Sequence, residues 1–137
     1  MTGRRACTFQ AVPASAGQAR RFVESALADS GLAEMADTAM LLVSELVANA
    51  VLHSGTPLEV VVAVDPDGAR LEVHDGSGQL PTRRHYSTMS GTGRGMMLVE
   101  RMATAWGAEA TAGGKVVWCR IDRDARPAVD LLEVDAI

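Results

Sequence analysis

The stretch Leu41–His53, LLVSELVANAVLH, constrains the fold more than any other part of the chain. It is apolar at most positions and contains no Pro or Gly, so it reads as part of one long helix. Glu45 and Asn49 lie four apart inside it, and His53 is four further on. Residues four apart share a helix face, so these three form one polar stripe. Leu42, Leu46 and Ala50 form an apolar stripe beside it. A helix of this kind packs on a core and leaves one edge open to a site. A carboxylate on that edge can take a proton or hold an attacking hydroxyl. An Asn carbonyl oxygen is a neutral, hard ligand that Mg²⁺ accepts beside phosphate oxygens. An ordinary amphipathic helix with a wet side carries the same pattern, so the helix alone does not decide function.

The rest of the chain must supply what covers that helix. Its 137 residues, 47% hydrophobic and 22% charged, are enough for one globular core and unlike a disordered chain. The net charge of -4 gives no general footprint for nucleic acid. The longest apolar runs are broken by Glu, Asn or Asp, so no membrane span is expected. Met1 to Val12 lacks the apolar centre of a signal peptide, and a cytoplasmic location is expected. Cys7 and Cys119 read as two reduced, packed thiols, with a disulfide as the other possibility. His53, His74 and His85 share no metal-ligand motif.

Taken in order, Ala6 to Val12 reads as a first strand, stopped by Pro13. Ser15 opens a helix over Ala16 to Asp29, which Ser30 and Gly31 end. A second helix is expected from about Glu34 to Leu52, followed by a turn at Ser54–Pro57. Leu58 to Asp65 is a valine-rich strand, Pro66-Asp67-Gly68 a hairpin turn, and Arg70 to Asp75 the returning strand. Gly76 to Ser90 is poor in apolar residues and reads as a mobile lid of about fifteen residues. A helix from Met96 to about Ala103 follows, then strands Trp106 to Ala112 and Lys115 to Ile121. Residues 1–121 are expected to form a single domain, and residues 122–137 a C-terminal tail. Hairpin-length connections make the sheet mostly antiparallel, with helices covering one face. The fold class is therefore α+β, a two-layer α/β sandwich.

Two further signals lie downstream of the helix. Asp75 ends a strand and is followed by Gly76, Ser77 and Gly78. A carboxylate there can accept a hydrogen bond from an exocyclic amine, although Asp-Gly is also a common turn dipeptide. Gly91, Gly93 and Gly95 then precede an apolar helix. Backbone N–H groups at such a start can cradle an anion, or the glycines can serve as a hinge. The position, late in the chain and after a hairpin, excludes a Rossmann fingerprint. No Gly-Lys-Ser or Gly-Lys-Thr follows, so it is not a P-loop.

The order of these signals resembles the GHKL superfamily, the Bergerat-fold ATP-binding domains of DNA gyrase and histidine kinases. Within it the chain looks most like the small bacterial anti-sigma-factor serine kinases and their stand-alone actinobacterial relatives. SELVANAVLH is similar to the N box, HDGSGQLP to the G1 region, GTGRGMMLVERMATAWG to the G2 region and GGKVVWCRI to the last strand. The resemblance covers roughly Ala11 to Ile121. It implies ATP with Mg²⁺, with Glu45 as base, Asn49 holding Mg²⁺ and Asp75 accepting the adenine amine. Gly93 and Gly95 would approach the phosphates, and His53, Ser77, Gly78, Leu80, Thr92, Arg94, Met96 and Val116 would complete the nucleotide site. The chain departs from the family pattern at three places. Ser77 and Gln79 replace the two later glycines of the G1 region. Val116 stands where Thr usually follows Gly-Lys, and Ser90 and Gly91 stand where kinase members carry a lid arginine. Arg83, Arg84 or Arg94 could supply that charge.

Two functions of different classes follow from the resemblance. One is an anti-sigma factor that is also a serine/threonine protein kinase, binding a sigma factor and phosphorylating a STAS-type anti-sigma antagonist. The other is a non-catalytic, nucleotide-responsive module that sequesters a partner protein. Relatives imply a homodimer through the first strand and helix.

Overall fold

The computed structural model describes residues 2–77 and 95–123. The expected lid beyond Ser77 and the expected tail beyond Arg123 lie outside the described residues. The elements are strand β1 (Gly3–Phe9), helix α1 (Ser15–Asp29), a 3₁₀ turn (Ala33–Met35) and helix α2 (Ala36–His53). The hairpin β2 (Leu58–Asp65) and β3 (Gly68–Asp75) follows, then helix α3 (Gly95–Met102) and strands β4 (Ala105–Thr111) and β5 (Gly114–Asp122). One five-stranded sheet has the order β1-β2-β3-β5-β4, and every neighbouring pair is antiparallel.

The local chemistry explains the boundaries. Asp65 Oδ1 accepts from the backbone N–H groups of Asp67 at 2.8 Å and Gly68 at 3.0 Å, which closes the β2–β3 turn. Helix α1 ends in a Schellman motif: Leu32 N donates to Leu27 O at 2.8 Å, Gly31 N to Ala28 O at 3.3 Å, and Gly31 has φ 75°. Ser15 begins α1, but its hydroxyl donates to the carbonyl of Gln10 and Ala14 is the N-cap without a side-chain bond. The first strand runs three residues earlier than expected, because polar Gly3–Arg5 pair with Val64–Val62 along the sheet edge. Val12 and Pro13 instead form the turn into α1, with Ser15 N donating to Val12 O at 2.9 Å.

Strand alternation sorts the sheet into two faces. Leu58, Val60, Val62 and Val64 of β2, Ala69, Leu71 and Val73 of β3, and Val117, Cys119 and Ile121 of β5 share one core. Val23 and Leu27 of α1, Leu42, Val43, Leu46 and Val47 of α2, and Val99 of α3 meet them there. The helices thus cover one face, as the α+β reading expects. Ala33–His53 has a mean hydropathy of 1.5 over its most apolar window and is long and apolar enough to cross a membrane. Glu45 and Asn49 still interrupt the stretch, as the sequence pattern has it. Half of the window is buried within the protein, and the fit against α1 and the sheet accounts for its apolarity.

The opposite face carries Val61, Val116 and Trp118 beside a cross-braced polar row on β3. Glu72 Oε2 accepts from Arg70 Nε at 2.7 Å and Oε1 lies 2.8 Å from His74 Nε2. Burial opposes the Glu72 charge, yet the bonds from His74 and Arg70 outweigh it and hold the carboxyl below its ordinary range. The Arg70 guanidinium stacks 4.2 Å from the centroid of the Trp118 ring. Cys7 and Cys119 are both free, and burial pushes the Cys119 thiol up to about 12, which leaves it unreactive.

Candidate functional site

The α2 stripe survives folding, but unevenly. Glu45 is half-buried, Asn49 is 2% exposed, and His53, the last residue of the helix, is half-buried. Asn49 Nδ2 is buried with no hydrogen-bond partner among the described residues. The end of α2 is fastened to the end of β3. Ser54 Oγ lies 2.5 Å from Thr56 Oγ1, and Thr56 Oγ1 accepts from Gly76 N at 2.8 Å. Asp75 precedes that anchor by one residue, so the Asn49 helix and the Asp75 strand end are tied together by bonds 20 residues apart in sequence.

Asp75 turns inward, on the face of β3 shared with Leu71 and Val73. Its Oδ1 accepts from Ser77 N at 2.8 Å. Its Oδ2 is buried and takes no hydrogen bond among the described residues. Among the described residues it forms an ion pair with Lys115 Nζ at 3.7 Å, beyond hydrogen-bonding reach, with side-chain exposures of 4% for Lys115 and 1% for Asp75. Gly114 makes this closeness possible. A Cβ there would stand 2.0 Å from Asp75 O and 2.7 Å from Gly76 Cα.

The structure therefore brings Asp75, Ser77 and Lys115 together, and ties their strand end to the helix of Glu45, Asn49 and His53. Val116 is placed differently. It pairs with His74, whereas Asp75 pairs with Lys115, so Val116 lies on the sheet face turned away from the helices. Lys115 joins the site without being part of any of the sequence motifs' expected contacts. Its inward turn follows from the register of β3 against β5: once Asp75 faces inward, its cross-strand partner faces inward too. Gly95 and Met96 begin α3. Gly78, Leu80, Thr92, Gly93 and Arg94 lie outside the described residues, as do Gln79, Arg83 and Arg84.

The donor set fits an adenine nucleotide with a divalent cation. A buried acceptor left open at Asp75 Oδ2 matches an exocyclic amine. Half a rotation of the Asn49 amide exchanges donor and acceptor, so the same buried end can offer an oxygen to Mg²⁺. Among the described residues no group of three His, Cys, Asp or Glu could hold a metal. One amide with substrate phosphates and waters is a coordination that Mg²⁺ accepts.

An α+β sandwich with a five-stranded antiparallel sheet, and with unsatisfied buried polar groups on its central helix and at a strand end, is consistent with a GHKL-type ATP-binding domain. The chain matches the histidine kinase-like ATPase domain over residues 9–121 and belongs to that family. No curated protein matches the chain.

Proposed function

We propose that this chain is a cytoplasmic, ATP-binding anti-sigma factor that also phosphorylates a serine of a STAS-type antagonist. The observation that supports its nucleotide-binding part is the pair of buried polar atoms without a hydrogen-bond partner among the described residues, Asn49 Nδ2 and Asp75 Oδ2. A buried polar group left unsatisfied costs about 1–3 kcal/mol, so a site holding two of them gains by binding a ligand that completes both.

In this reading Asp75 accepts the adenine amine, with Ser77 N fixing the other carboxylate oxygen. Asn49 offers its amide oxygen to Mg²⁺, which when bound draws charge from the phosphates. Glu45, one helical turn before Asn49, accepts the proton of the attacking serine hydroxyl. Phosphoryl transfer asks the protein chiefly for positioning and charge stabilisation, and a rigid, buried helix supplies the first. The protein partners are the sigma factor and the antagonist, with no direct contact to nucleic acid or membrane, and a homodimer is the expected assembly.

A second reading is a non-catalytic, nucleotide-responsive module that sequesters a partner. One observation favours it: the Glu45 carboxylate has no hydrogen bond or ion pair among the described residues to aim it. Glu45→Gln separates the two. As a base, Glu45 contributes about 100- to 10,000-fold in rate, so the variant loses phosphorylation of the STAS partner while ATP affinity persists. Asn49→Ala weakens nucleotide binding as well. Intact phosphorylation in Glu45→Gln defeats the base assignment. ATP binding with no phosphorylation of any STAS protein of the same organism favours the module.

A further inference from the structure

Lys115 is a buried ammonium with an unusual neighbour. It stands on β5 directly across from Asp75 on β3. Both side chains are almost fully buried, and their closest charged atoms, Nζ and Oδ2, are 3.7 Å apart. Burying two charges is costly, and the cost is recovered only where the geometry is good. A purely structural pair would close to hydrogen-bonding distance, near 2.7–2.9 Å. This one stays open, and Oδ2 receives no hydrogen bond among the described residues. The other oxygen is already engaged by Ser77 N at 2.8 Å, which fixes the carboxylate plane. Gly114 holds the two strand ends so close that no side chain fits between them. The site therefore presents a fixed acceptor and a fixed donor side by side.

We infer that Lys115 is a specificity-determining residue that donates to a ring nitrogen of adenine beside the amine taken by Asp75. Adenine carries a donor, its amine, flanked on each side by a ring-nitrogen acceptor, N1 and N7. Asp75 Oδ2 and Lys115 Nζ are the complementary pair. Lys115 also supplies the buried positive charge that keeps Asp75 compensated when no base is bound. Val116 cannot contribute a polar contact here, since it is apolar and lies on the other face. The inference rests on the adenine reading of Asp75 given above, and the test keeps the two apart.

The probes are ATP, 1-deaza-ATP and 7-deaza-ATP, each with Mg²⁺, titrated into the full chain and into Lys115→Met and Lys115→Arg. The unsubstituted chain should bind one deaza analogue about 10- to 100-fold more weakly than ATP, the cost of one charge-assisted hydrogen bond. Lys115→Met should bind that analogue and ATP equally, while still preferring ATP to ITP through Asp75. Lys115→Arg, which keeps the charge, should recover part of the discrimination, as a mere filler of the core would not. If the unsubstituted chain binds both deaza analogues as tightly as ATP, the role of Lys115 is overturned. The same holds if Lys115→Met still discriminates against the analogue. If the unsubstituted chain binds no ATP at all, the adenine reading itself fails, a separate outcome from either.

Discussion

Arg120 grips Asp65 across the width of a strand: Nη1 lies 2.8 Å from Oδ2 and Nη2 3.0 Å from Oδ1. Asp65 is on β2 and Arg120 on β5, with β3 between them. Gly68 is the β3 residue in register with Asp65, with Asp122 on its other side; Arg120 pairs with Arg70 two positions along, so the grip is diagonal. A Cβ at Gly68 would stand 2.1 Å from Ile121 O, so only glycine lets the strands approach this closely. The bond from Arg120 is the largest cause of an Asp65 pKa lowered from 3.8 to about 2, aided by the backbone N–H of Asp67. The same bond, with one to Asp122, holds the Arg120 guanidinium charged well above its ordinary range.

This pair gives a pH signature. Because the folded pKa of Asp65 is below the ordinary value, its stabilisation is present above pH 3.8 and fades as pH falls towards 2. Asp65→Asn keeps the shape and the turn acceptor but removes the charge. Its melting temperature should lie below that of the unsubstituted chain at neutral pH. The difference should shrink as pH drops from 3.8 to 2. A difference that is constant with pH would contradict the assignment.

The site depends on a close backbone approach at Gly114. Gly114→Ala places a Cβ against Asp75 O and Gly76, both main chain, so the strands must part. The expected cost is about 1–3 kcal/mol of stability. ATP affinity should fall with it, because Asp75 moves. Gly113→Ala is the control, since nothing lies within 4 Å of its added Cβ. Denaturant midpoints of the two variants check this, and equal midpoints would count against it.

Helix α2 must carry a core side and a free side. Leu42 is fully buried and Leu52 is 58% exposed. Leu42→Ala should cost about 2–5 kcal/mol through lost transfer energy and the cavity left behind. Leu52→Ala should change stability by no more than about 0.5 kcal/mol. Chemical denaturation of both variants checks the orientation of the helix that carries Glu45 and Asn49. Equal losses would place the helix differently.

The sequence makes some of this architecture readable and hides the rest, for physical reasons. Helix α2 is legible because thirteen residues, Leu41–His53, repeat one helical pattern without a breaker. The β2–β3 hairpin is legible because Pro66-Asp67-Gly68 is local turn chemistry between valine-rich strands. Strand β1 is less so. Gly3–Arg5 carry no apolar alternation, and only pairing with Val62–Val64 makes them a strand. Asp75 could be singled out from the residues around it, but the inward turn of Lys115 and the outward turn of Val116 could not. Those follow from the register of β3 against β5, a pairing of segments 40 residues apart that no local pattern encodes. The Asp65–Arg120 pair, 55 residues apart, is hidden for the same reason.

Calorimetric titration of ATP and GTP, each with Mg²⁺, into the chain and into Asp75→Asn tests the central claim most directly. A carboxylate at Asp75 accepts from the adenine amine and repels the guanine carbonyl. The account predicts that ATP binds, that GTP binds more than about tenfold more weakly, and that Asp75→Asn loses about 2–3 kcal/mol of ATP affinity. Equal affinity for ATP and GTP in the unsubstituted chain, or an unchanged ATP affinity in Asp75→Asn, would contradict it.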